Sequence, residues 1–146
     1  MRWRHFNSFA LGLGQGSFDF TSDVMRIMLV TGYTYDAAHN FRDDVTGVEI
    51  SGTGYTAGGV ALSSVTWAKN SSLARIDLDA ADAVWSGADF SAEGAIWFRQ
   101  VGGDLTTPAT DDLFGYLDFE QSRSADNIEF RIRWADAGLF AIPYEP

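Results

Sequence analysis

Apolar and charged positions alternate along much of this chain. Between Leu73 and Ala80, Ala74, Ile76, Leu78 and Ala80 share one face, and Arg75, Asp77 and Asp79 share the other. From Ile128 to Trp134, Ile128, Phe130, Ile132 and Trp134 point one way while Glu129, Arg131 and Arg133 point the other. A period of two with bulk inside and charge outside predicts half-buried strands. Val24–Thr31 (VMRIMLVT) is nearly all apolar, as expected of a strand covered on both faces. Further strands are predicted at Val60–Trp67, Val84–Phe90, Ala95–Val101, Leu113–Phe119 and Gly138–Ile142.

Turn-forming residues separate these runs. Gly52-Thr53-Gly54 and Gly58-Gly59 flank Tyr55, and Lys69–Ser72 (KNSS) reads as a hairpin turn. Asp104–Asp112 and Gln121–Asn127 read as polar loops. Thr34–Val48 shows no period of two and is long for a hairpin, which predicts an irregular stretch with a helical turn. The first residues differ from the rest. Phe6, Phe9, Leu11 and Leu13 are spaced loosely like one face of a short helix, which Gly12, Gly14 and Gly16 should end within about three turns. The expected architecture is all-β: an antiparallel β-sandwich over residues 18–146, of which the jelly roll is one form. A short helix or arm over residues 1–17 should stand outside the main sheet.

Length and composition sharpen this. A chain of 146 residues suits one domain and can bury roughly 70% of its unfolded surface without staples. There is no cysteine, which excludes disulfides and thiol chemistry. Twenty acidic against ten basic residues leave a net charge of −10, a poor basis for nucleic-acid binding. No apolar run approaches the roughly 20 residues of a membrane span, so neither nucleic acid nor membrane is expected as a partner.

Candidate chemistry is sparse. The only histidines are His5 and His39, and no nucleophile–base pair can be assembled around them. His39 lies near Asp36, Asp43 and Asp44 without a metal-ligand spacing. Asp77 and Asp79 would stand roughly 7 Å apart on one strand face, a separation open to paired-acid hydrolysis, but Arg75 beside them suits an ion pair equally well. Asp43-Asp44 and Asp111-Asp112 could offer oxygens to calcium, yet neither has an EF-hand pattern. No catalytic residue, cofactor or metal is therefore assigned. The candidate site is instead an interface: Arg2, Trp3, Arg4, Phe6 and Phe9 form a basic-aromatic stretch on an acidic chain, suited to anchoring in a partner. On that reading the chain without residues 1–13 should still fold but fail to attach.

The order of these segments resembles that of small virion structural proteins from tailed bacteriophages. Phe6-Asn7-Ser8-Phe9, Phe18-Asp19-Phe20 and Met25–Thr31 look like the aromatic helix, Asp-containing turn and "KVALLT" strand that open those proteins. Tyr33-Thr34-Tyr35-Asp36 with His39 is similar to their "Y-x-x-D…H" stretch. Val48–Leu62 (VEISGTGYTAGGVAL) resembles their most distinctive run, "EVSGTGYTAGGxxL". Val84-Trp85-Ser86, Gly115–Phe119 and Trp134–Gly138 follow in order, so the likeness spans residues 6–142. Arg2-Trp3-Arg4 and the three glycines depart from it.

The resemblance implies a non-enzymatic component of a virion, first a capsid decoration (cement) protein. Its implied partners are other virion proteins, the major capsid protein foremost, and further copies of itself. A tail, neck or fibre module that recognises a host or a carbohydrate is the alternative. The tryptophans separate the two. Core-facing Trp67, Trp85, Trp97 and Trp134 favour the structural component, whereas exposed aromatics beside carboxylates favour the recognition module.

Overall fold

The computed structural model describes residues 1–136 and 138–145; Ala137, within the Trp134–Gly138 run, and Pro146, the last residue of the expected sandwich, lie outside it. The elements in order are β1 (Arg2–His5), α1 (Asn7–Gln15), β2 (Val24–Val30), β3 (Val60–Ala61), β4 (Thr66–Asn70), β5 (Arg75–Asp79), β6 (Ala83–Gln100), β7 (Leu113–Ile132) and β8 (Phe140–Pro143). They form two antiparallel sheets, one of five strands ordered β1-β7-β6-β2-β3 and one of three ordered β4-β5-β8. The all-β reading holds. Consecutive β6 and β7 lie side by side at the centre of the larger sheet.

β2 shows why its sequence is apolar throughout. Met25, Ile27 and Leu29 enter one core cluster with Trp97 and Phe114. Met28 and Val30 enter a second, on the opposite face, with Ile96, Phe98 and Tyr116. The first cluster is closed by α1 and the small sheet, through Phe9, Leu78 and, packed at its margin, Trp67 and Phe140. The second is closed by irregular chain: Tyr33, Tyr35, Val45, Val48 and Leu105. The predicted helical turn lies here, as two 3-10 turns at Arg42–Asp44 and Thr46–Val48.

Four expectations need correction. The strands predicted at Val84–Phe90 and Ala95–Val101 are one strand, β6, and the polar segment Gln121–Asn127 is not a loop but the middle of β7. The predicted Val60–Trp67 strand is instead divided between β3 and β4, which belong to different sheets. Residues 1–17 are not an arm outside the sheet. β1 pairs with Gly115–Asp118 of β7 as an edge strand, and Phe6 N–H donates to the Phe114 carbonyl at 3.2 Å. α1 then crosses the first core cluster. Its C-terminus is set by two glycines: Gly16, in the left-handed region, donates to Leu13 while Ser17 donates to Gly12, a Schellman close. Gly12 also leaves the space that the Phe18 ring occupies.

The β6–β7 hairpin curls. Phe119 and Phe130 have ring centroids 6.3 Å apart, whereas eleven residues of straight strand would span about 36 Å. Glu120 and Asn127 take positive φ, as does Gly87 on the facing strand, and the β6–β7 register shifts between Trp85 and Ala88. Such irregularities bend a ribbon. The bend lets Trp85, Phe90 and Phe130 close on one another at one end of the first cluster.

Candidate functional site

The five residues proposed from sequence as an anchor occupy different environments. Phe6 and Phe9 are 0% and 1% exposed, so they are part of this domain's own core and cannot fill a partner's pocket. Trp3 is half-buried between Trp97 and Trp134, at centroid distances of 6.2 and 6.3 Å. Alternation along β1 sends Arg2 and Arg4 to the other face. There Arg4 lies over the Tyr35 ring and 3.7 Å from Asp118, and Arg2 is exposed. What remains for a partner is the open side of β1 itself, since an edge strand keeps unpaired backbone groups.

His5 sits beside this edge, stacked on Phe9 at 5.2 Å and edge-on to Phe140 at 5.3 Å. Its Nε2 is buried without a hydrogen-bond partner among the described residues, and burial pushes its pKa below the ordinary 6.5. The unfolded chain therefore binds this proton more readily than the folded one. Stability contributed by neutral His5 is complete above about pH 6.5 and declines as pH falls below it. Denaturant titrations at pH 7.5, 6.5 and 5.5 should show this decline, and His5→Phe should remove it; an equal decline in the variant would place its source elsewhere.

The acidic pairs are structural ties. Asp111 and Arg42 form a buried ion pair at 2.8 Å. Asp112 takes Arg99 at 2.6 Å. Asp77 takes Arg75 at 2.6 Å on the same strand face, the ion-pair reading of that sequence. Asp44 accepts the backbone N–H groups of Asn40 and Phe41, and the Asn40 bond foremost holds its pKa below the usual value. His39 Nδ1 meets the Tyr33 hydroxyl at 2.9 Å, and burial raises that phenol to about 12. Among the described residues no three His, Asp or Glu side chains converge as a metal site, and no helix is long and apolar enough to cross a membrane.

The segment Val48–Leu62 forms a strap along the outer edge of β2. Glu49 bridges to Val30, Ile50 N–H donates to the Leu29 carbonyl, and β3 pairs with Arg26 and Ile27. Between them the chain leaves and returns, and Tyr55 fills the gap. Its hydroxyl donates to Glu49 Oε1 at 2.7 Å and accepts the Leu29 N–H at 3.0 Å, a β2 donor that β3 does not reach. Glu49 also accepts the Gly58 N–H at 2.5 Å. Gly59 has positive φ and lies so close to the Ile27 carbonyl that no Cβ would fit. Thr53 also bridges to Asp89 of β6 and the Tyr55 ring packs by Trp85 and Phe90, so the strap closes the sheet edge and reaches on to β6.

One surface was not legible in the sequence. A pocket of about 360 Å³ opens beside the curled β7, lined by Phe119, Phe130 and Ile132 together with Arg123, Arg131, Arg133 and Met1. The alternation of Arg131 and Arg133 put both on one face, but only the curl brings Arg123 to them. The chain matches no protein-family profile, no curated protein and no solved structure.

Proposed function

We propose that this protein is a non-enzymatic structural component of a tailed-phage virion, first a capsid decoration protein, that acts by binding other protein subunits. The observation that carries this reading is the placement of the tryptophans. Trp85 and Trp97 are buried in the first core cluster, and Trp3, Trp67 and Trp134 pack against it. The aromatic load thus serves the domain's own stability rather than a sugar-stacking platform. The sequence resemblance supports the virion assignment, and the open edge of β1, beside the exposed Arg2, supports subunit contact. The major capsid protein and further copies of the chain are the proposed partners.

Immunogold electron microscopy of the phage particles that carry this gene tests the assignment. Regular labelling over the head is expected. Labelling confined to the tail, neck or fibres would replace decoration with the recognition reading. Absence of the chain from purified particles by mass spectrometry would overturn the virion assignment.

A further inference from the structure

We propose that the pocket beside β7 is a docking site for an acidic segment of another protein, anchored by an apolar side chain. This rests on the subunit-binding part of the proposed function, and names the chemistry of the partner. The pocket's floor is taken to be the apolar part of its lining, Phe119, Phe130 and Ile132, which belong to the core and are 2%, 8% and 3% exposed. The rim is cationic. The chain has ten Lys and Arg residues in all, and three arginines meet at this one place.

Most of the other arginines are committed elsewhere. Arg4, Arg42, Arg75 and Arg99 face carboxylates, and Arg26 donates to the carbonyls of Gly58 and Gly59. At the pocket, Arg131 is held by Asp82 at 3.2 Å and Glu129 at 2.8 Å, and the N-terminal ammonium by Glu120 at 2.7 Å. Arg123 and Arg133 are exposed and have no carboxylate partner among the described residues. Two forked donors above an apolar floor suit a carboxylate that follows an apolar side chain, because guanidinium binds carboxylate in paired hydrogen bonds.

The backbone adds to this. Met1, next to β1, lines the pocket, which places the pocket beside the β1–β7 pairing. Beyond Asp118 the outer edge of β7 has no second strand among the described residues. An extended peptide entering in line with β1 can pair with that edge while its alternate side chains reach the floor and the rim. A polyphosphate is a poorer match, because it brings no apolar side chain for Phe119, Phe130 and Ile132.

Fluorescence anisotropy on the purified chain tests this separately from particle labelling. The probe is a fluorescein-labelled decapeptide alternating glutamate and leucine, compared with its glutamine counterpart and with labelled oligothymidylate. The glutamate peptide should bind at least tenfold more tightly than either. Arg123→Glu with Arg133→Glu should lose at least tenfold in affinity with little change in melting temperature, since both side chains are exposed, and the paired glutamine variants should show a smaller loss in the same direction. Lys69→Glu, on the small sheet, should bind like the wild type. No binding, equal binding of the two peptides, tighter binding of oligothymidylate, or unchanged affinity in the arginine variants would overturn the proposal. Self-association of the wild type in sedimentation, abolished by the arginine variants, would overturn it in favour of a second copy as the occupant.

Discussion

Phe9→Ala is expected to lower stability by about 3–5 kcal/mol and the melting temperature by roughly 10–15 °C. Phe9 is where the first core cluster is densest in rings. Phe114 lies 4.9 Å away, Trp97 and His5 5.2 Å, Phe140 5.4 Å and Phe18 6.0 Å, centroid to centroid. These rings belong to β7, β6, β1, β8 and the turn after α1, so no single element can move in to refill the space. Removing residues 1–13 should go further and abolish cooperative unfolding. It deletes β1, uncovers Trp97 and Phe114, and leaves the outer edge of β7 unpaired. This reverses the expectation drawn from sequence, that the shortened chain folds and only fails to attach. A cooperative melt of the shortened chain near the wild-type temperature would restore the arm reading.

Asp111→Ala should cost a similar amount, about 3–5 kcal/mol, for a different reason. Asp111 is fully buried. One carboxylate oxygen accepts Arg42 Nε at 2.8 Å, and the other accepts the Val101 N–H at 2.9 Å. Without it, a buried guanidinium keeps only the Leu105 carbonyl, at 2.6 Å, and the Phe98 ring as company. The pair matters because the second face of the large sheet is covered by irregular chain, which has few ladder hydrogen bonds to hold it. Arg42 and Asp111 tie its two halves together. Arg42→Met with Asp111→Leu should cost much less than the sum of the single losses of charge. Strict additivity in that cycle would mean that the two charges do not act as a pair.

The contrast between these residues shows how much was legible before the fold was known. β2 and the buried face of β5 could be read because each strand is covered in the way its pattern states. Leu78 is fully buried and Arg75 pairs with Asp77 on the other face, although Ile76 is only half-buried, like that pair. The distal hairpin could not. From Gln121 to Asn127 only Ala125 is buried, because one face of the ribbon is open and the other is covered at few points. Polar residues are therefore compatible with strand there, and composition alone suggests a loop. Ile128 shares the parity of Phe130 and Ile132, yet it is 59% exposed. The register shift beside Gly87 separates it from them, and a local irregularity of that kind leaves no mark on an alternating pattern. The N-terminal stretch misled for a related reason. Its charges and its aromatics were read as one anchor, whereas strand alternation sends Arg2 and Arg4 to one side and Trp3 and His5 to the other. The pocket was invisible because its walls come from distant parts of one bent strand.

The pairing of β1 with Gly115–Asp118 has a consequence for the order in which the molecule can be made. β1 and α1 are made long before the strands that receive them, and so are among the last elements to find their place. Arg2 waits for Asp118, and Phe6 and Phe9 wait for Phe114 and Trp97. Until then the nascent chain carries an unpaired aromatic segment. Closing so long a loop is slow relative to local contacts, and exposed apolar surface in the interval invites association with other chains. Synthesis of this protein should therefore yield little native structure before about residue 120 has emerged, and then commit the whole domain in a single late step.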